Sequence, residues 1–200
     1  MKPILFFDFD MTICRDRFWR SLGAYDYDRI QTMISVDHAA MFEEWMRGKW
    51  TSEEINRFIA NHLDIPYETL WDAFVTDAKT MYVAPETLER VAALRDKFHT
   101  VLVTINVDSF GRFTVPALGL DAYFDRIDNS SDHGRFKYDD DGALFADLAR
   151  ELAAPITDSF LFDDSPRNCE VFAKLGGTAC QVDNDRTVVT YLDQLIERVD

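Results

Sequence analysis

The amino-acid sequence predicts an α/β fold in which a parallel β-sheet packs between helices and carries an all-helical insertion. Residues 4–7, Ile-Leu-Phe-Phe, are consecutively apolar, which is typical of a strand buried on both faces in the middle of a parallel sheet. Further short apolar runs at residues 100–104 and 159–162 alternate with segments of helical periodicity, which favours β-α-β units. By contrast, residues 15–82 show helical periodicity and no clear strand alternation. These observations place a helical insertion after the first strand of the sheet.

Two carboxylates end the first predicted strand. Asp8 and Asp10 are two positions apart, so in an extended chain their side chains leave the same face while Phe9 turns back into the core. Neighbouring carboxylates repel, and a hard divalent cation such as Mg²⁺ relieves the repulsion by taking carboxylate, carbonyl and water oxygens as ligands. Open α/β sheets bind ligands at the carboxyl ends of their strands. We therefore expect a metal or ligand site at the end of this strand.

The segment that follows, residues 15–83, is predicted to be a helical cap domain. Apolar residues recur at helical spacing within residues 33–46, and the capping box Thr-Ser-Glu-Glu at residues 51–54 starts a second helix. Pro66 lies in the expected first turn of a third helix. Such a segment is too long for an ordinary connection, so we expect it to fold as a unit. The aromatic residues at helical spacing are interpreted as the core of that unit.

The α/β core domain is predicted to comprise residues 1–14 and 84–200. It resumes with a helix and then with a strand that ends at Thr104. The polar stretch at residues 125–139 is interpreted as a loop, with a short strand at residues 123–127. Lys137 lies in this loop, just before another helix of the core.

A later apolar strand also ends in acids. Asp163 and Asp164 follow residues 159–162, and Pro166 begins a helix. Acidic side chains at the ends of the first and this later strand can meet only if the two strands are close in the sheet. The chain closes with a predicted strand at residues 178–182 and a predicted helix at residues 187–199.

Composition excludes several classes of function. The chain has 200 residues, a formal net charge of −15 and a pI near 4.6, which argues against binding nucleic-acid backbones or anionic membranes, because both need a cationic surface. Three widely spaced cysteines indicate neither a disulfide framework nor a zinc site. No signal peptide or membrane-spanning run is recognisable, so a cytoplasmic protein is expected.

Residues 8–12, Asp-Phe-Asp-Met-Thr, resemble the first motif of the haloacid dehalogenase superfamily, which is Asp-x-Asp-x-Thr after a hydrophobic strand. Three further motifs of the superfamily are matched in the expected order. They are a hydroxyl residue at a strand end (Thr104), a lysine before a helix (Lys137), and the acidic run Asp163-Asp164-Ser165 with Asn168. The resemblance implies a three-layer α/β/α, Rossmann-like core with an inserted all-helical cap of the C1 type.

The resemblance also implies roles for individual residues. Asp8 corresponds to the nucleophile that forms an aspartyl-phosphate, and Asp10 to the general acid and base. Thr104 corresponds to a ligand of the transferring phosphoryl group, and Asn106 is placed to assist it. Lys137 corresponds to the lysine that holds nucleophile and phosphate together, with Arg135 as the alternative.

The cofactor implied by the resemblance is Mg²⁺, held by Asp8, by the backbone carbonyl of Asp10 and by the acids of the fourth motif. Asp164 is assigned as the direct ligand and Asp163 as its partner through water or a hydrogen bond, since adjacent residues in an extended chain point to opposite faces. The reverse order of these two acids stays open.

The chain departs from the family pattern at two positions. Family members usually have Gly where this chain has Met11, so the backbone there is expected not to rely on a positive φ. Lys137 is followed by Tyr138, where the family commonly has Pro.

The second acid of the first motif separates the reactions of the superfamily. A dehalogenase needs only the nucleophile and usually lacks the second Asp, whereas phosphate transfer to water needs a proton donor and an activator of water. We therefore predict a Mg²⁺-dependent phosphatase that hydrolyses a small phosphorylated metabolite, such as a sugar phosphate or a nucleotide. A phosphomutase and a non-catalytic phosphate-binding protein are the alternatives.

Three arginines follow the first motif. Arg15, Arg17 and Arg20 either bind a second anion of the substrate or form a solvated helix face. The sequence carries no further signature of the substrate and leaves the oligomeric state open.

Overall fold

A five-stranded parallel sheet forms the centre of the protein. The computed structural model describes residues 1–199. The strands are β1 (Ile4–Phe7), β2 (His99–Thr104), β3 (Arg126–Asn129), β4 (Phe160–Asp163) and β5 (Thr178–Gln181). Their order in the sheet is β3-β2-β1-β4-β5, and every neighbouring pair is parallel. All strands therefore end at one edge, with β1 in the middle.

Ten α-helices surround or interrupt this sheet within the described residues. They are α1 (Ala24–Thr32), α2 (Ala39–Met46), α3 (Ser52–Leu63), α4 (Tyr67–Lys79), α5 (Pro85–Leu94), α6 (Val115–Leu118), α7 (Ser130–His133), α8 (Ala143–Glu151), α9 (Pro166–Lys174) and α10 (Val188–Val199). Short π-helical segments at Met33–Asp37 and Phe110–Thr114 adjoin α1 and α6.

Strand β1 is buried because its alternating side chains pack into two different hydrophobic clusters. Leu5 and Phe7 belong to a cluster that includes residues of α5 and α10. Ile4 and Phe6 belong to a cluster that includes residues of α8 and α9, where the Phe6 ring meets Phe145 edge to face. Helices thus cover both faces of the sheet, which confirms the predicted three-layer α/β/α fold.

Helices α1 to α4 share a third hydrophobic cluster. Its buried residues lie between Trp19 and Phe74, except for Val107, which follows β2. The predicted capping box is present at the start of α3, where Thr51 and Glu54 bond each other's backbone N–H groups. At the base of the segment, isolated bridges join Cys14 to Asp10 and to Val83. The division into a cap of residues 15–83 and a core stays a prediction.

The polar stretch at residues 125–139 differs from the expected loop. Strand β3 begins at Arg126, later than the strand predicted at residues 123–127, and α7 follows it directly. The strand lies at the edge of the sheet and contains Arg126, Asp128 and Asn129, so it lacks the apolar run that marks a central strand. Its pairing with β2, Val101 opposite Arg126, supplies the register that its own sequence does not reveal.

The described helices include none that combines the length and the apolar composition needed to cross a bilayer.

Candidate active site

Polar side chains from three neighbouring strands meet at the carboxyl edge of the sheet. Asp8 follows β1, Thr104 ends β2 and Asp163 ends β4, and β2 and β4 are the two neighbours of β1. The backbone N–H of Asp8 still donates to the carbonyl of Phe162, at 2.9 Å, so β1 and β4 stay paired up to the first acid. The motif residues therefore meet because their strands are adjacent, although up to 155 positions separate them in sequence.

The chain turns sharply after Phe9. The backbone N–H groups of Thr12, Ile13 and Cys14 all point to the carbonyl oxygen of Phe9, at 3.3, 3.1 and 3.0 Å. Met11 has a φ of 59°, in the left-handed region. The expectation that this backbone avoids a positive φ is therefore wrong, because the turn requires the left-handed conformation whichever side chain is present. The Met11 N–H donates to the carbonyl of Cys14, at 2.7 Å, which helps to hold that conformation.

Lys137 lies between the acids of β1 and β4. Its Nζ is 2.8 Å from Asp8 Oδ1 and 2.6 Å from Asp163 Oδ2, and the side chain is 1% exposed. Burial by itself lowers the pKa of Lys137, but the carboxylates of Asp8 and Asp163 raise it to about 12, so the ammonium stays charged. Arg135, the alternative to Lys137, instead pairs with Asp147 at 3.0 Å.

The two acids after β4 have different surroundings. Asp163 is fully buried and accepts hydrogen bonds from Asn168 Nδ2, at 3.0 and 3.1 Å, and from the Ser165 backbone N–H, at 2.9 Å. Asp164 is partly exposed, and its backbone N–H donates to Thr12 Oγ1 at 3.1 Å. The Asp163 carboxylate is thus occupied by donors of the protein, whereas Asp164 is partly open to solvent.

Three carboxylates form a group that suits a hard cation. One oxygen each from Asp8, Asp163 and Asp164 lie within 4.8 Å of one another. Burial raises the pKa of Asp8 and of Asp164, and the Asp163 carboxylate raises both further. A divalent cation would relieve this repulsion, so the donor set fits Mg²⁺, which prefers carboxylate oxygens. The Asp10 carboxylate is not part of this group.

Asp10 has a different set of partners from Asp8. Asn106 Nδ2 donates to Asp10 Oδ2 at 3.0 Å, and the Arg17 guanidinium lies 3.9 Å from Asp10 Oδ1. The Asn106 Oδ1 in turn accepts from the Val107 backbone N–H at 2.8 Å. Burial raises the pKa of Asp10 above its ordinary range, against the attraction of Arg17 and Lys137.

The Thr104 hydroxyl has no hydrogen-bond partner although it is buried. Because an unpaired buried hydroxyl is costly, its presence at a strand end beside the acids indicates a place for a polar group of a ligand. Of the three arginines after the first motif, only Arg17 contacts an acid of this site. Arg15 donates to Asn184, and Arg20 donates to the carbonyls of Asp77 and Thr80.

Two features of the site were not predicted from the sequence. Arg47, at the end of α2, binds the segment that carries Lys137: it donates to Asp139 and to the carbonyl of Gly134, and it lies over the Phe136 ring. Besides an ion pair with Glu43 one helical turn away, its partners are 87 or more positions distant, so no local signal marks its contact with the Lys137 segment.

The second unpredicted feature is a cavity of about 340 Å³ beside Asp10. Aromatic and aliphatic side chains of the helical segment line it, including Trp19, Phe42, Trp45 and Met46. Their helical spacing was interpreted as the core of the segment. The described structure shows that they also face the site.

The thiol of Cys14, close to the acidic motif, is buried, and burial raises its pKa to about 12. This thiol is therefore protonated at neutral pH and is a poor nucleophile.

Comparisons with known proteins agree on one family. A sequence model of the haloacid dehalogenase-like hydrolases matches residues 3–176. Among solved structures, the chain is similar to a haloacid dehalogenase family enzyme from Bacteroides thetaiotaomicron in complex with magnesium and inorganic phosphate (16% identity, TM-score 0.69, 92% of this chain and 95% of that chain). It is also similar to a haloacid dehalogenase-family phosphatase from Thermococcus onnurineus (20% identity, TM-score 0.64, 96% of this chain and 97% of that chain). A third similar structure is a 2-haloacid dehalogenase from Pseudomonas syringae (17% identity, TM-score 0.64, 100% of each chain). At these identities the structural likeness shows the fold alone. No significant match was found among curated proteins.

Proposed function

Because this chain belongs to the haloacid dehalogenase-like hydrolases, we propose that it is a Mg²⁺-dependent phosphatase that hydrolyses a small phosphomonoester. The observation that carries the proposal is the placement of two acids with different partners at the end of β1. Asp8 is paired with a buried ammonium, Lys137, whereas Asp10 accepts from the Asn106 amide and lies 3.9 Å from the partly exposed Arg17 guanidinium. One acid is thus positioned as a nucleophile and the other is available for proton transfer.

The first chemical step is assigned to Asp8. A carboxylate oxygen of Asp8 attacks phosphorus, the bond from phosphorus to the ester oxygen breaks, and an aspartyl-phosphate forms. Lys137 holds the Asp8 carboxylate through the 2.8 Å contact and supplies positive charge next to the transferring group. The buried, unpaired hydroxyl of Thr104 is assigned to donate to a phosphoryl oxygen, since its own strand is a neighbour of β1.

Proton transfer is assigned to Asp10. In the first step its carboxyl gives a proton to the leaving alcohol oxygen. In the second step its carboxylate takes a proton from water, and the water oxygen attacks phosphorus and releases phosphate from Asp8. Asn106 orients the Asp10 side chain for both transfers through its 3.0 Å hydrogen bond. A dehalogenase has no alcohol to protonate, so the presence of this second acid favours the phosphatase.

Mg²⁺ would be held by the carboxylates of Asp8 and Asp164 and by the backbone carbonyl of Asp10. Asp163 is assigned as a supporting residue, because Lys137, Asn168 and the Ser165 N–H already occupy its oxygens. When bound, the cation supplies charge neutralisation for the phosphoryl oxygens and for the three clustered acids.

Substitution of the nucleophile tests the proposal. We expect Asp8→Asn to lower kcat by more than about 10³-fold, the scale seen when a covalent nucleophile is removed. Phosphate release from acetyl phosphate and from a broad panel of phosphomonoesters measures the effect, with Mg²⁺ and with a chelator. Asp72→Asn, an exposed acid on α4, is the matched control and should keep wild-type activity. Activity of Asp8→Asn close to that of the wild type would contradict the proposal.

A further inference from the structure

The cavity beside Asp10 has the composition of a binding site for an apolar group. We propose that the substrate is a phosphomonoester of an apolar alcohol, alkyl or aryl, whose carbon skeleton fills this cavity; this inference rests on the proposed phosphatase function. The volume of about 340 Å³ lies at the lower end of the range for small-molecule sites. Asp10 lies in its lining, so the cavity begins where the leaving oxygen is protonated.

The two tryptophans of the lining offer carbon surface and no donor. Trp19 Nε1 donates to Asn56 at 2.9 Å, and Trp45 Nε1 donates to Asp108 at 3.0 Å. Neither acceptor lines the cavity, so both indole N–H groups are engaged away from it. The rest of the apolar lining includes Phe42, whose ring packs against Trp45 edge to face. These rings therefore present carbon surface to the cavity.

The polar lining residues near Asp10 are already bonded within the protein. The Asn106 amide uses its nitrogen on Asp10 and its oxygen on the Val107 N–H. The Asp16 carboxylate accepts from the Tyr82 backbone N–H at 2.8 Å. A sugar in this space would bury several hydroxyl groups against carbon with few partners, and each unpaired group would weaken binding. An alkyl or aryl group instead gains by leaving water.

Three further polar side chains belong to the lining. Arg17 is 43% exposed and is the only cation among the described residues that line the cavity. Gln31 and the exposed Ser35 also belong to the lining. A polar or anionic substituent is therefore tolerated where it reaches one of these three side chains, and Arg17 lies on the Asp10 side of the cavity, 3.9 Å from Asp10 Oδ1.

A series of alkyl phosphates tests this specificity. Straight-chain monophosphates from methyl to hexyl share a primary alcohol as leaving group with glycerol 3-phosphate and glucose 6-phosphate, so reactivity is matched while polarity differs. We expect kcat/KM to rise about fourfold for each added CH₂ until the cavity is filled. We expect hexyl phosphate to exceed both hydroxylated compounds. A flat series, or a preference for glucose 6-phosphate, would overturn the inference while leaving the phosphatase proposal intact.

Two methionines on α2 provide a matched pair of variants. Met46 lines the cavity, whereas Met41 is partly buried on the same helix and does not. Met46→Gln keeps the length of the side chain and adds a polar amide. We expect it to lower kcat/KM for hexyl phosphate about tenfold while Met41→Gln leaves it unchanged, since one change of this kind in an apolar pocket is worth about tenfold or more. Equal effects of the two variants would contradict the assigned lining.

Binding of alkylphosphonates separates the two proposals. Methylphosphonate and hexylphosphonate cannot be hydrolysed, and their affinities can be measured by calorimetry in the presence of Mg²⁺. Tighter binding of hexylphosphonate than of methylphosphonate supports the apolar site, whether or not phosphate is released from any ester. A lack of phosphate release from every ester would overturn the phosphatase proposal alone. Equal binding of the two would overturn the apolar site alone.

Discussion

Met11 occupies a backbone conformation that L-residues rarely adopt. Its φ of 59° places it in the left-handed region, one residue after Asp10. For a residue with a Cβ this conformation costs on the order of 1 kcal/mol. The three N–H groups that converge on the Phe9 carbonyl show that the turn is held by the surrounding backbone. The strain is therefore local, and it lies at the residue between Asp10 and Thr12.

A comparison of Gly and Ala at this position measures the strain. Both substitutions remove the side chain of Met11 beyond Cβ, but only the change to Gly also removes Cβ. We expect Met11→Gly to be more stable than Met11→Ala by about 1 kcal/mol in urea unfolding, the reverse of the usual order. At Met41 in α2 the same pair should follow the usual order, with Ala more stable than Gly by about 1 kcal/mol. If Ala were the more stable residue at both positions, the positive φ would not be a source of strain.

At the scale of elements, the end of α2 is tied to the segment that carries Lys137. The Arg47 guanidinium donates to Asp139, at 2.5 and 3.2 Å, and to the Gly134 carbonyl, at 2.9 Å. It also lies 3.7 Å from the centre of the Phe136 ring. Phe136 directly precedes Lys137 in the chain. A helix of the insertion and a residue of the site are thus joined through one side chain.

Removal of this guanidinium tests the link. We expect Arg47→Met to lower the free energy of unfolding by about 1–3 kcal/mol, because several charge-assisted hydrogen bonds are lost together. Lys49→Met is the control on the same segment, since Lys49 forms an exposed ion pair with Glu44, and such pairs contribute about 1 kcal/mol or less. Chemical denaturation of both variants gives the comparison. A loss no larger for Arg47→Met than for Lys49→Met would show that the contact with the Lys137 segment is not stabilising.

At the scale of the whole molecule, the proposed Mg²⁺ site predicts that stability rises with the concentration of this cation. The chain carries a formal net charge of −15, and three acids lie within 4.8 Å of one another with one buried lysine between two of them. A cation that binds this group only in the folded state stabilises the fold by RT ln(1 + c/Kd), where c is the cation concentration, so the gain grows with the logarithm of that concentration. The binding of Mg²⁺ is therefore measurable without any substrate.

Thermal and chemical unfolding with added MgCl₂ measures this effect. At a Mg²⁺ concentration 100 times Kd, we expect about 2.7 kcal/mol of added stability for the wild type. Asp164→Asn should lose most of this gain, because Asp164 is the acid assigned to the cation. Asp72→Asn, on the exposed face of α4, should retain the gain. NaCl at equal ionic strength controls for screening of charges. The assigned site would be contradicted if NaCl and MgCl₂ raised stability equally, or if MgCl₂ raised the stability of Asp164→Asn and Asp72→Asn equally.

The sequence by itself determined the elements whose signal is local. Consecutive apolar residues predicted the buried strand β1, and the spacing of Asp8 and Asp10 predicted acids at its carboxyl end. The capping box predicted the start of α3, which the structure confirms. The predictions of the buried strand and of the helix start hold because strand burial and helix capping depend on neighbours only a few residues away. The alternation of such elements predicted a parallel sheet with β-α-β units, and the resemblance to the haloacid dehalogenase superfamily added the three-layer arrangement.

Only the tertiary structure decided how distant residues combine. It paired Lys137 with both Asp8 and Asp163, gave Met11 a positive φ, and assigned the register of β3 through its pairing with β2. It also brought Trp45 of the helical insertion beside Asp10 around one cavity. Each of these outcomes depends on contacts between segments that are far apart in sequence or on backbone hydrogen bonds that no residue pattern records. The sequence pattern therefore predicts which residues belong to the site, and tertiary packing determines which of their charged groups and apolar surfaces are in contact.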